Sequence, residues 1–249
     1  MYEYLWPNHP FRFRIPYQQI SPLGIHIQPA RIEAKKTPTA IRATMLTLLA
    51  DLDDEEMIYW CVDDKYPIHL RLNYIQAILH WLTSVPDHDV DGILFCRCRR
   101  LWESNFLTGA SIKDTNNSIY LERNGYEQIW IHQLLKVKVL RYFFEAMPTE
   151  IAMAEVMDEY KKGILKPSGH RLYVSRWNLA RFGESTRRGL ITANCLASMQ
   201  RHGPKRAAIN KQQVSKPAII GSARDELMFE SSRPRIGCFF SALASKCIL

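Results

Sequence analysis

Glu56-Met57-Ile58-Tyr59-Trp60-Cys61-Val62-Asp63-Asp64-Lys65-Tyr66-Pro67 is the stretch whose reading decides the fold. A short apolar run ends abruptly in two carboxylates, a lysine and a proline. Periodicity alone does not separate a short buried strand from a fragment of helix. The β-branched and aromatic content favours strand, and Pro67 bars simple continuation as a central strand. In an open α/β sheet the two acids then stand at the carboxyl end of a strand, where such sheets build their ligand crevices. Two carboxylates there suit a hard divalent cation that carries phosphate oxygens. The plain alternative is an exposed acidic turn that closes the strand.

Upstream of this stretch, Asp51-Leu52-Asp53-Asp54-Glu55 reads as a solvated connection rather than a second site. It ends a helix in which Ile41, Met45, Leu48, Leu49 and Leu52 recur at helical spacing and Thr37-Pro38 supplies the start signal. Further back, Phe11-Arg12-Phe13-Arg14-Ile15 alternates at strand period, with Phe11, Phe13 and Ile15 toward the core. Downstream, Ile68-His69-Leu70-Arg71-Leu72 reads as a connection into a helix carrying Tyr74, Ile75, Ile78, Leu79 and Leu82. Residues 86–92 form an acidic loop in which His88 and its neighbouring aspartates imitate a metal cluster but read as wet loop. Residues 93–96 give the next buried strand, Asp114 to Ser118 a turn, and residues 119–121 a short strand. Residues 127–140 are the most helix-like part of the chain, with Trp130, Leu134, Val137 and Arg141 on one stripe. His132, inside that apolar segment, reads as a satisfied core histidine rather than a catalytic one. A helix over 148–160 stops at Gly163. Residues 172–175 make a short strand, and 192–200 a helix closed by Gly203.

Composition bounds the rest. With 47% hydrophobic and 23% charged residues over 249 positions, the chain is an ordinary globular one with room for one sizeable α/β domain. Residues 1–160 hold 16 Lys/Arg against 21 Asp/Glu, whereas residues 161–249 hold 17 against 4. A basic C-terminal third suits an anionic partner: a nucleotide diphosphate, an anionic membrane surface or nucleic acid. The six cysteines show no paired spacing, so neither a zinc site nor a disulfide framework is expected, and reduced thiols fit a cytoplasmic protein. No apolar run is long enough to span a membrane. The expected architecture is an open mixed sheet flanked by helices, residues 1–203, with residues 58–62 central and flanked by strands from 11–15 and 93–96. Residues 204–249 read as a basic linker and poorly ordered tail, dispensable for stability.

Tyr59-Trp60-Cys61-Val62-Asp63-Asp64, set between helix-like segments, resembles the Asp-rich metal motif of GT-A glycosyltransferases, closest to the nucleotide-sugar enzymes of bacterial surface-polysaccharide synthesis. Tyr4-Leu5-Trp6-Pro7-Asn8-His9-Pro10-Phe11 is similar to the Trp-Pro…Pro-Phe segment that precedes that motif in the family. Glu184-Ser185-Thr186-Arg187-Arg188-Gly189-Leu190-Ile191-Thr192 is similar to its C-terminal Glu…Gly-Lys-Ile/Trp-Thr stretch. In the family a nucleotide-binding strand and loop come before the Trp-Pro segment. Here that segment starts at residue 4, so the resemblance implies a GT-A-like domain lacking its N-terminal strand.

The resemblance implies transfer of a sugar from a nucleotide diphosphate sugar to a saccharide or lipid-linked acceptor. Bond cleavage leaves a phosphate dianion that a divalent metal or Lys/Arg must neutralise. Asp63 and Asp64 are then ligands to Mg²⁺ or Mn²⁺, and both reach one ion only if the chain turns there. Lys65 steadies a phosphate, and Arg187 and Arg188 contact the leaving diphosphate. Glu145, at the end of the helix-like segment where the family has its acceptor-side acid, is the candidate base. The enzyme is expected in the cytoplasm, with peripheral association to the inner face of the membrane. Two other readings stay open: a non-enzymatic module that uses the basic third on nucleic acid or an anionic surface, and a degenerate transferase without donor binding. Against the first, no nucleic-acid-binding motif is legible.

Overall fold

The computed structural model describes residues 2–17, 27–31, 41–62, 65–84, 89–96, 106–149, 154–184, 186–187, 190–193, 195–197 and 242–246. Its strands are β1 (Arg12–Tyr17), β2 (Ile27–Arg31), β3 (Met57–Val62), β4 (Lys65–Leu70), β5 (Gly92–Leu94), β6 (Leu107–Lys113) and β7 (Ile119–Arg123). They continue with β8 (Gln133–Lys136), β9 (Leu172–Ser175), β10 (Ala180–Glu184), β11 (Thr186–Arg187), β12 (Leu190–Ile191) and β13 (Ala242–Lys246). The helices are α1 (Tyr2–Leu5), α2 (Ile41–Leu49), α3 (Leu72–Ser84), α4 (Val137–Glu145) and α5 (Ala154–Lys161).

From β3 a mixed sheet runs one way through β8, β5, β9 and β7 to β6, and the other way through β13 and β1 to β2. The pairs β5–β9 and β1–β2 are parallel and the other neighbours antiparallel. Successive residues of a strand point to opposite faces, and β3 uses both. Met57, Tyr59 and Cys61 pack in one core with Ile75, Ile78 and Leu79 of α3. Ile58, Trp60 and Val62 pack in a second core with Met45 and Leu48 of α2 and Leu140, Phe143 and Phe144 of α4. All six residues of β3 are buried. A strand covered on both faces reads as an unbroken apolar run, which is why its sequence has no period.

The same cause hides β8. Leu134 joins the first core and Leu135 the second. The helical stripe read through Trp130, Leu134 and Val137 in fact crosses a strand that becomes a helix only at Val137. There the loop before β3 supplies the missing acceptors: Val137 N–H donates to the Glu56 carbonyl at 3.0 Å and Lys138 N–H to the Asp54 carbonyl at 3.0 Å. The neighbours of β3 are therefore β13 and β8, and the strands expected beside it, β1 and β5, each stand one place further out.

Two more readings change. Residues 68–72, expected as a connection into α3, instead begin inside strand β4, which among the described residues pairs with β10 in a separate two-stranded ladder. Pro67 is tolerated there because the register shifts between Arg181 and Phe182, beside it. Of the expected C-terminal tail, residues 242–246 instead lie inside the sheet as β13. One leucine among small residues carries no periodic signal. The rest of 204–249 lies outside the described residues, as does Thr37-Pro38.

Candidate functional site

The site is built where β3 ends. Val62 is its last residue, Asp63 and Asp64 follow outside the described residues, and Lys65 begins β4. The end of the strand is fixed by an imidazole. His132 lies just ahead of β8 and is buried, with Nε2 2.9 Å from the Val62 carbonyl and Nδ1 2.6 Å from the Tyr2 hydroxyl. A carbonyl only accepts, so Nε2 carries the proton and Nδ1 accepts from Tyr2. The Tyr2 oxygen in turn accepts from the Tyr59 hydroxyl at 2.9 Å. Burial holds the His132 pKa down, at about 4, and the nearby Lys65 ammonium pushes the same way. The ring is thus neutral at physiological pH and both its nitrogens are used. It is the core histidine its sequence context indicates, but it also positions: it ties α1 to the end of β3. Phe182 of β10 packs on it with ring centroids 4.8 Å apart.

The β4–β10 ladder brings the two halves of the sequence motif together. Its register aligns Tyr66 with Gly183 and Lys65 with Glu184. A Cβ built on Gly183 would stand 2.8 Å from the Tyr66 ring, so only glycine lets the ring lie on this backbone. Beyond Glu184, β11 and β12 form a hairpin that aligns Arg187 with Leu190. Arg187 thus belongs to the hairpin that follows the Lys65–Glu184 end of the ladder. Arg188 lies outside the described residues.

Glu145 is exposed at the end of α4 and makes no side-chain hydrogen bond or ion pair with the described residues. It lines an open depression of about 610 Å³ with Leu46, Asp53, Asp54 and Arg141. That lining comes from α2, the loop leading into β3 and α4; the β4–β10 ladder contributes none of it. The structure therefore brings Lys65 beside the strand of the Glu184…Arg187 stretch, and does not bring Glu145 to them.

The acidic loop before β3 is occupied by the fold. Glu55 accepts from Lys136 and Lys138, each at 2.8 Å, and these ammonium groups hold its carboxyl below the usual range. Asp54 pairs with Arg141, which also donates to the Leu49 and Leu52 carbonyls at 3.0 and 3.1 Å. Asp53 accepts the Glu55 N–H at 2.8 Å, and Asp51 pairs with Arg14 at 2.7 Å.

Asp91 departs from its reading as a wet loop acid. It is buried, accepts the Arg171 N–H at 2.8 Å, and pairs with Lys136 at 3.2 Å and Lys138 at 2.9 Å. Burial alone would raise its pKa, but the Arg171 N–H and the two ammonium groups bring the net value below the usual one. Its signal was an acid immediately before a glycine and a buried strand. His88 lies outside the described residues. Among the described residues no three His, Cys, Asp or Glu side chains gather as a metal site, and no helix is long and apolar enough to cross a membrane. Cys61, Cys96 and Cys195 are buried and form no disulfide among the described residues. The chain matches no protein family, no curated protein and no solved structure.

Proposed function

We propose that the chain is a GT-A-type glycosyltransferase that moves a sugar from a nucleotide diphosphate sugar to a saccharide or lipid-linked acceptor in surface-polysaccharide synthesis. The observation that carries the reading is the Lys65–Glu184 register of the β4–β10 ladder. Lys65, which follows Asp63-Asp64 in sequence, and Glu184, which opens the Glu184…Arg187 stretch, lie 119 residues apart in sequence and pair at one end of one ladder. Both signs of charge needed for a metal-bound diphosphate are then at hand: carboxylates for a hard cation, and Lys65, Arg187 and Arg188 for phosphate oxygens.

Asp63 and Asp64 would hold Mg²⁺ or Mn²⁺, oxygen donors of the kind such a cation takes. When bound, the cation supplies Lewis-acid neutralisation of the leaving diphosphate. Lys65 and the arginines bind and orient that diphosphate, and the His132 hydrogen bond keeps the end of β3 in place. The resemblance offers Glu145 as the base that takes the acceptor hydroxyl proton, but its exposed carboxylate lines the depression beside α4, away from the β4–β10 ladder, and no step is assigned to it.

Titration calorimetry with UDP, GDP and CDP, each with and without Mn²⁺, tests the reading. One nucleotide should bind in a metal-dependent way, and Asp63→Asn and Asp64→Asn should each weaken it about tenfold or more without unfolding the chain. Asp53→Asn is the matched control and should change affinity less than about twofold. Glu145→Gln should leave nucleotide binding intact, because its carboxylate lines a depression to which the β4–β10 ladder contributes nothing. Absence of binding under every condition, or equal losses at Asp53 and Asp64, would overturn the proposal.

A further inference from the structure

A cavity of about 290 Å³ lies between the turn after β7 and the C-terminal end of α5. Its charged lining is Glu127 from the turn, and Lys161, Lys162 and Lys166 from the helix end and the segment after it. Two of these lysines are already balanced: Lys161 pairs with Asp158 at 2.9 Å and Lys162 with Glu159 at 2.8 Å. Glu127 and Lys166 are not.

The Glu127 Oε2 is buried, and neither carboxylate oxygen has a hydrogen-bond or ion-pair partner among the described residues. A buried oxygen that has given up water without gaining a donor is costly, and a ligand donor removes that cost. The carboxylate is held from behind. A Cβ on Gly125 would stand 2.7 Å from Oε2, and the Arg123 guanidinium donates to the Glu127 carbonyl.

Lys166 is the complement. Its side chain is 8% exposed, and its ammonium donates to the His170 carbonyl at 2.6 Å. The nearest acid, Glu122, is 3.9 Å away, beyond hydrogen-bond length, and is bonded to Thr108 and Arg171. Two of the three ammonium N–H groups therefore lack an acceptor among the described residues. Burial lowers the Lys166 pKa, with Arg171 and Arg123 adding to that and Glu122 and Asp91 opposing it, so an added anion is welcome there. The Tyr126 hydroxyl and His170 Nδ1, 2.9 Å apart, tie the turn to the segment that carries the Lys166 acceptor. Phe106, Ile164 and Leu165 give the cavity its apolar wall.

A ligand of one sign answers only one of the two groups. We propose that this cavity binds a small zwitterion with an apolar side chain, an α-amino acid, its carboxylate on the Lys166 ammonium and its ammonium on the Glu127 carboxylate. The volume, at the low end for ligand pockets, suits a molecule of that size. No residue of β4 or β10 lines the cavity, so this site is independent of the proposed nucleotide site.

Titration calorimetry of the full-length chain with L-leucine, without nucleotide or metal, tests the proposal. Leucine should saturate one site within about 5 mM. N-acetylleucine, which lacks the ammonium, leucinamide, which lacks the carboxylate, and glycine, which lacks the side chain, should each bind about tenfold or more weakly. Glu127→Gln and Lys166→Gln should each cost leucine about tenfold. Glu127→Gln should cost N-acetylleucine less than about twofold, and Lys166→Gln should cost leucinamide equally little, because each compound has already lost the matching group. Failure of leucine to saturate, or equal affinity for leucine and its two derivatives, overturns the proposal. So do variant losses that are the same for all three compounds, which report a disturbed fold rather than a matched pair of charges. If Lys166→Gln does not fold, the wild type and Glu127→Gln decide by the same comparison.

Discussion

Two acidic stretches bracket β3, and the elements next to them differ. Before the strand, Asp51, Asp54 and Glu55 each meet a base, and Asp53 closes its own loop by accepting the Glu55 N–H. After it, Asp63-Asp64 follows a strand end pinned by a neutral histidine, and the next residue, Lys65, aligns with Glu184. Equal acidity in the sequence thus has two meanings. The leading acids stitch α2, β1, β8 and α4 to the start of β3. The trailing pair leads in sequence into Lys65, which pairs with Glu184 at the end of the β4–β10 ladder.

The comparison breaks most readily at Asp91, the buried partner of the same lysines that hold Glu55. Asp91→Ala leaves the Arg171 N–H without its carboxylate and Lys136 and Lys138 with Glu55 in place of two acids, and should cost about 3 kcal/mol. In a chain of this size that is roughly 6–10 °C in melting temperature. Asp63→Asn should leave melting within about 1 °C, since its proposed role is in binding. A comparable loss at Asp63 would make both stretches structural and remove the distinction.

Acidification should give the next largest effect. The folded-state pKa of His132 lies near 4 against an ordinary 6.5, so the unfolded chain binds more protons between those values. Stability should therefore be full above about pH 6.5 and fall by about 2.5 kcal/mol on acidification to pH 4.5. His170, whose pKa burial also lowers, adds in the same direction. Urea midpoints from pH 7 to 4.5 should fall more steeply for wild type than for His132→Asn; parallel slopes would show that His132 is not the neutral anchor of the trailing end. Below the usual carboxylate range, the depressed Asp91 pKa makes a separate, later loss at the leading end.

The ladder offers a smaller perturbation confined to the trailing side. Gly183→Ala must displace the buried Tyr66 ring, and should cost about 1–2 kcal/mol. If Lys65–Glu184 alignment positions a diphosphate site, the same change should weaken metal-dependent nucleotide binding, whereas Asp91→Ala should weaken only stability. Circular-dichroism melts and calorimetry on the two variants separate these effects.

Legibility follows the same divide. The strand over 57–62, the helix over 41–49, the helix over 72–84 and the strand over 172–175 were readable, because each keeps a period or a short bounded apolar run. β8 was not: Leu134 and Leu135 serve opposite cores, which makes any apolar run look helical. Asp91 was misread because its partners lie in β8, α4 and β9's approach, distant in sequence. The importance of Tyr2 was invisible for the same reason, its partners being Tyr59 and His132. Local pattern reports one strand's burial; it does not report which distant lysine or hydroxyl will close a polar group.

The smallest expected effect is the sharpest test of what the leading acids are worth. Glu55 is 61% exposed, and its two lysine bonds are the kind of surface pair that salt screens. Glu55→Gln should cost no more than about 0.5 kcal/mol at low salt, and nothing measurable in about 1 M NaCl, where the Debye length is near 3 Å. The loss at Asp91, 3% exposed at its side chain, should survive the same salt. Because Lys136 and Lys138 are shared, the two changes should not add: with Asp91 gone, the lysines depend on Glu55 alone and its removal should cost more than in the wild type. Melting curves of the four chains of this double-mutant cycle, at two salt concentrations, measure that coupling. Strict additivity would mean that Glu55 and Asp91 hold their lysines independently, and that the leading stretch is a row of separate surface pairs rather than one clasp closing β3 onto β8 and α4.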